Sequence, residues 1–169
     1  MSKNINRYCG LDPSLLGCTI SKFDNKKILD FLFIRVDNGN ILDRIFLINN
    51  LVKIFLLENK IKSLIIETPY YNRFNPKTYG EQLRLYQQLI NLCIELNISF
   101  SEKNANSIKK FVIKGQAKKE KMIEFFMENI ILSDQLLYKD LNKKEQEGII
   151  DSLYIGMSNN EIEEFLIDK

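Results

Sequence analysis

The 169-residue chain contains no histidine. That removes Ser-His-Asp hydrolysis, Cys-His proteolysis, histidine-ligated zinc and imidazole acid–base chemistry. Three prolines and seven glycines are too few for a collagen-like or disordered chain. The three cysteines, Cys9, Cys18 and Cys93, are odd in number and lack CxxC spacing. They read as reduced core residues, not as a disulfide frame or a zinc site. No run approaches the ~20 apolar residues of a membrane span. The opening MSKNINRYCGLD lacks the apolar stretch of a signal peptide. An intracellular, cytoplasmic protein with no membrane partner is expected. Any catalysis must rest on Asp, Glu, Lys, Tyr, Ser, Cys or a metal held by oxygen.

What is present is a globular composition, 45% hydrophobic and 27% charged. The length suits one domain, residues 1–169, able to bury a core without staples. The net charge of +2 is small, but its distribution is uneven. Residues 101–121 hold seven lysines against Glu102 and Glu120, and residues 133–169 hold nine acids against four lysines. A groove that binds an anion and holds a metal fits this contrast. Solvated surfaces of opposite sign fit it equally well.

Apolar patterning predicts strands over residues 7–11, 16–23 and 28–36, a three-strand meander. The first is expected to stop at Asp12-Pro13. Helical spacing follows over 41–58. Residues 62–67, KSLIIE, form a short apolar run that ends on an acid and reads as a buried parallel strand. A loop is expected over 68–78 and a helix over 79–96. A strand is expected over 98–101, a helix–loop–helix over 107–113 and 117–131, and a last helix over 144–157. The order implies an α/β sheet covered on both faces.

Asp12 follows the first strand, Glu67 ends the fourth, and Asp151 lies on the last helix. If the first and fourth strands are parallel neighbours, Asp12 and Glu67 sit side by side at the carboxyl ends. That is the ligand crevice of an open α/β sheet. Glu147 and Asp151 are four apart and share a helix face. Clustered carboxylates repel unless a hard cation neutralises them, and oxygen-only sets suit Mg²⁺ or Mn²⁺. Two such ions about 4 Å apart serve in-line attack of water on a phosphodiester. Taken singly, each acid reads more readily as a turn, a strand end or a solvated helix face.

Four segments in order resemble the RuvC-like Holliday junction resolvases of the ribonuclease H-like superfamily. Gly10-Leu11-Asp12-Pro13-Ser14 matches the family's first acid, and Glu67 matches the second. Lys109, Gly115, Ala117 and Lys119 match its basic segment, and Asp151 before Ser-Leu matches the closing acid. The resemblance covers most of the chain. It implies a mixed five-stranded sheet, meander then parallel strands, flanked by helices on both faces. It also implies an endonuclease acting in DNA recombination and repair, with two Mg²⁺ ions (Mn²⁺ as substitute) held by Asp12, Glu67, Glu147 and Asp151. Its products would be 5′-phosphate and 3′-hydroxyl ends.

Two departures stand out. Bacterial members carry an acid three residues before the last, where this chain has Gly148, so Glu147 is the substitute. The basic loop is one residue shorter, which puts Lys118 in competition with Lys119 for the scissile phosphate. Such divergence, with a composition rich in Ile, Asn and Lys, suits a phage or mobile-element member. Lys109, Lys110 and Lys114 are expected to bind phosphates. Tyr70, Tyr71 and Phe74, in a loop with Arg73 and Lys77, are candidates to stack on bases at a junction centre. Tyr70 matches the family's aromatic wedge best.

The expected partners are branched DNA and a second copy of the chain, since a four-way junction suits a C2 homodimer. The 79–96 helix is the candidate interface. The alternative is a non-catalytic junction-binding protein of the same fold, impaired by the glycine at 148. An actin-like sugar or acyl-phosphate kinase is disfavoured by the short chain and the lack of a second phosphate loop.

Overall fold

The computed structural model describes residues 7–25, 27–71, 73–113, 118–130 and 141–165. Strands β1 (Arg7–Ser14), β2 (Gly17–Asp24) and β3 (Lys27–Arg35) form an antiparallel meander. Helix α1 (Ile41–Glu58) leads to β4 (Ser63–Glu67), then α2 (Pro76–Glu95) and β5 (Ser99–Lys103). Helices α3 (Ala105–Val112), α4 (Lys119–Asn129) and α5 (Lys143–Met157) follow, before a 3-10 turn over Ile162–Phe165. The sheet order is β3-β2-β1-β4-β5, with β4 parallel to both β1 and β5. The expected mixed five-stranded sheet with helices on both faces is the fold observed.

Two boundaries move for reasons that matter to the site. The first strand does not stop at Asp12-Pro13. Asp12, Pro13 and Ser14 pair with Thr19, Cys18 and Gly17 of β2. Pairing on the β4 side ends at Leu11–Ile66, so Pro13 meets no ladder there that its missing N–H would break. The loop after Glu67 is shorter than expected, because α2 begins at Pro76. The Asn75 side chain caps the Thr78 N–H and proline takes the first turn, where its fixed φ suits the helix. Elsewhere β5 runs on to Lys103, α3 starts at Ala105 and α5 starts at Lys143.

Side chains alternate across the sheet. Cys9, Leu11, Leu64 and Ile66 enter the core under α1 and α2. Tyr8 and Ile65 enter the core under α3, α4 and α5. By the same period, Asp12 and Glu67 fall on the α5 face. Each lies one residue beyond the last β1–β4 pair, Leu11–Ile66.

Helix α5 seats on this face through a stripe of small residues at i, i+4 and i+8, namely Gly148, Ser152 and Gly156. A Cβ at Gly10 of β1 would lie 2.2 Å from the Ser152 carbonyl oxygen and 2.4 Å from the Gly156 nitrogen. A Cβ at Gly156 would lie 2.1 Å from the Phe23 ring, and one at Gly148 would lie 2.7 Å from Thr19 Oγ1. The buried Ser21 hydroxyl donates to the Ser152 carbonyl at 2.7 Å, fixing the helix along its axis. The Tyr154 hydroxyl donates to the Met122 carbonyl at 2.9 Å and ties α5 to α4.

Gly10→Ala should therefore force α5 off the sheet. The clash is with backbone, so the loss should be about 3 kcal/mol, or some 6–12 °C in Tm at this chain length. Thermal unfolding measures it. A loss under about 1 kcal/mol would show that α5 is not seated this closely.

Candidate active site at the end of the sheet

The crevice is built from four elements. β1 supplies Asp12 and β4 supplies Glu67, at adjoining carboxyl ends. α5 supplies Glu147 and Asp151 on one face, and the first turn of α4 supplies Lys119. Lys119 Nζ lies 2.9 Å from Asp151 Oδ2, to which it donates a hydrogen bond, and 3.5 Å from Glu147 Oε2. Lys118 is the exposed residue before α4, and Lys119 faces the acids.

Three grooves converge on these groups. One of about 340 Å³ is lined by Asp12, Glu67, Thr68, Tyr70, Tyr79 and Gln82, among others. A second, of about 290 Å³, runs from Asp12, Glu147 and Asp151 past Lys119 to Arg35 and Lys144. A third, of about 200 Å³, holds Glu67, Asp151, Lys119 and Lys109. Asp12, Glu67, Asp151 and Lys119 each line two of the three.

The electrostatics follow from this crowding. Burial raises the Asp12 pKa well above the usual carboxylate range. Asp151 and Glu67 raise it further, and Lys119 opposes them. Burial, then Asp151, pushes Glu67 up to about 7, against Lys109 and Lys119. Asp151 is also raised by burial, though its hydrogen bond from Lys119 pulls the other way. Burial alone would lower the Lys119 pKa. Its hydrogen bond to Asp151 and the charges of Asp151, Glu147 and Asp12 reverse this, and the net shift is upward.

Among the described residues, no group of three or more His, Cys, Asp or Glu side chains closes around one point as a metal cage does. The donor chemistry nonetheless fits a hard divalent cation. All the acids are oxygen donors, and Asp12 is coupled by charge to both Glu67 and Asp151.

The remaining predicted residues fall into groups. Gly148 packs over Thr19 and has no room for a carboxylate without displacing that hydroxyl. Glu145 is not free to complete the site, because it caps the Asn142 N–H and pairs with Arg35 at 3.0 Å. Lys109 lines the groove with Glu67 and Asp151, and its charge acts on both acids. Lys110 is exposed on α3, and Lys77 is exposed in the first turn of α2. Lys114, with Gly115 and Ala117 of the basic segment, lies outside the described residues.

The three loop aromatics separate. Tyr71 packs edge-on against Tyr79 at 5.1 Å and anchors the loop. Phe74 is 81% exposed with the Arg73 guanidinium 4.7 Å over its ring. Tyr70 is 76% exposed and lines the groove holding Asp12 and Glu67. Sequence reasoning missed Gln82, Thr68, Arg35 and Lys144 as lining residues. Helical spacing does place Gln82 one turn after Thr78 and one turn before the buried Tyr86 and Leu85, but nothing local marks it as facing the groove.

No protein-family model matches the sequence, and no curated protein matches it. Solved structures do match. The RuvC structure from Thermus thermophilus aligns with a TM-score of 0.67 at 15% identity, covering 90% of this chain and 92% of that one. The yeast mitochondrial Holliday junction resolvase gives 0.64 at 13% identity, covering 91% and 77%. The fowlpox virus resolvase, solved with its substrate Holliday junction DNA, gives 0.57 at 13%, covering 90% and 95%. The chain thus has the fold of the RuvC-like Holliday junction resolvases, in which meander, parallel strands and flanking helices follow the same plan. No helix among the described residues is long and apolar enough to cross a membrane.

The raised Glu67 pKa has a measurable consequence in metal-free buffer. The folded state binds a proton up to about pH 7, while the unfolded group releases it near the ordinary glutamate value of 4.5. Between those values the folded state holds more protons, so Glu67 makes folding less favourable as pH rises. Glu67→Gln should match wild type in stability near pH 4.5 and exceed it above pH 7. The excess should be on the order of 2–3 kcal/mol in urea unfolding. A difference that does not grow with pH would place Glu67 outside the crowded crevice.

Proposed function

We propose that this chain is a single-domain, divalent-cation-dependent endonuclease that resolves Holliday junctions by paired phosphodiester hydrolysis. The observation that carries the reading is the convergence of three grooves on Asp12, Glu67 and Asp151, from three separate elements, each groove lined by two of the three, in a resolvase fold. Asp12, Glu67 and Asp151, with Glu147, would hold Mg²⁺ or Mn²⁺, two ions per site. When bound, the cations supply charge neutralisation at the phosphate and a more acidic water for in-line attack.

The chain's own residues do the rest. Lys119, which pairs with Asp151 and Glu147, would meet a non-bridging phosphate oxygen when those acids hold a cation. Lys109 adds a second positive charge on the α3 side. The exposed Lys77, Lys110 and Lys118, with Arg73, extend a basic rim that neutralises neighbouring phosphates regardless of sequence. Tyr70 stands beside the acids with its ring free, and it can replace base–base stacking lost at an exchange point. Such stacking is worth about 1–3 kcal/mol per base. In linear duplex the same insertion must first unstack paired bases, which costs a few kcal/mol. The ring therefore selects junctions by differential contact. A C2 homodimer would place two such sites on opposed strands, leaving 5′-phosphate and 3′-hydroxyl ends.

A magnesium-dependent cleavage assay on a synthetic four-way junction separates this from a non-catalytic binding protein. Asp12→Asn, Glu67→Gln and Asp151→Asn should each lower cleavage by about a hundredfold or more while junction binding persists. Glu147→Gln tests the substitution for the acid missing at 148. Normal cutting by any of these variants would remove that residue from the site.

The aromatics give a separate test. Tyr70→Ala should slow junction cleavage by about tenfold, on the order of 1.4 kcal/mol in the barrier, and leave stability unchanged. Tyr71→Ala should instead lower Tm, because its ring is packed on Tyr79. Parental cleavage by a folded Tyr70→Ala would show that discrimination rests on basic surface and dimer geometry alone.

A further inference from the structure

The groove holding Asp12 and Glu67 extends away from the acids along α2. Besides the acids, Tyr70 and two prolines, its walls are Thr68, Asn75, Thr78, Tyr79 and Gln82. None is charged. The set combines aromatic faces, hydroxyls and two carboxamides, of which Asn75 is engaged through its oxygen in capping the Thr78 N–H and Gln82 is not. Gln82 is half-buried on this wall, and its amide makes no hydrogen bond to any described residue, whereas Gln87 on the outer face of α2 bonds Asn91 at 3.2 Å. The whole groove, its acidic end included, measures about 340 Å³, which leaves room for a nucleobase along the α2 wall. A phosphate alone would be better met by the lysine-bearing grooves on the far side of Asp151.

We infer that this groove is a base-reading subsite, in which Gln82 selects the nucleobase next to the scissile phosphate. The inference rests on the nuclease reading and names a substrate preference within it. A carboxamide offers one donor beside one acceptor in a fixed plane. Adenine presents the complementary pair at N6 and N7, and glutamine–adenine is a standard bidentate match. That edge stays available whether or not the adenine is still paired. Tyr70, by breaking the stack at the exchange point, would deliver the neighbouring base to the Gln82 wall.

The test uses the full chain and four synthetic junctions that differ only in the base at that position. Cleavage is followed with Mg²⁺, and binding is followed by fluorescence anisotropy in EDTA. Wild type should favour adenine by about tenfold in both, and 7-deazaadenine, which lacks the N7 acceptor, should lose most of the advantage. Gln82→Met keeps the side-chain volume without the hydrogen bonds. It should treat all four bases alike, match wild type within about twofold on the other three, and be indifferent to the deaza substitution. A wild-type enzyme with no adenine preference overturns the subsite. So does a Gln82→Met variant that keeps the preference, or one that weakens all four junctions equally. Adenine-ranked binding without cleavage would overturn the nuclease reading and leave the subsite standing.

Discussion

Burial raises the proton affinity of Asp12, Glu67 and Asp151, and the Asp151 charge adds to it at the other two, because the end of β1, the end of β4 and the third turn of α5 come together. Carboxylates at this spacing cannot all be ionised at low cost in a half-buried site. Something positive must answer them. Within the chain it is Lys119, hydrogen-bonded to Asp151 at 2.9 Å, with Lys109 behind. The lysines only partly offset the burial, since all three acids still sit above their usual range. On the proposed reading, a divalent cation would answer the charge that the lysines leave uncompensated.

That gathering depends on how closely α5 approaches the sheet. Ordinary side chains at 10, 148 and 156 would hold the helix away from β1 and β2. The small stripe removes that distance, and the Ser21–Ser152 bond fixes the axial register. At the helix start, the Asn142–Glu145 capping box and the Arg35–Glu145 pair anchor the first turn against β3. Gly148 belongs to the same seating. The glycine that removes one acid from the sequence pattern is a packing residue, and Glu147, one position round the helix, turns toward Lys119 and the groove instead.

Much of this was legible in the sequence, and for a simple reason. The apolar runs KSLIIE and YCGLD each close on an acid, which puts Glu67 and Asp12 near the carboxyl ends of their strands, and the period of two then assigns both acids to one face. The i, i+4 spacing of Glu147 and Asp151 was equally plain. The first strand's passage through Pro13 was hidden, because proline ends most strands and only the early stop of β4 permits it here. The early start of α2 was encoded in Asn75-Pro76 but masked by the aromatic run before it. Lys109 beside the acids, Tyr71 on Tyr79 and Gln82 in the groove arise from packing between elements far apart in the chain. No local pattern announces them.

Calorimetric titration of Mn²⁺ into the protein without DNA, near pH 6.5 and in two buffers of different ionisation heat, measures whether the crowded acids form a cation site. Because Glu67 titrates near 7 and Asp12 above the usual range, cation binding should expel protons. The apparent enthalpy should then depend on the buffer, and the effect should shrink above pH 8 and vanish in Asp12→Asn. Binding with no proton release, or no binding at millimolar Mn²⁺, would contradict a site whose acids wait for a metal.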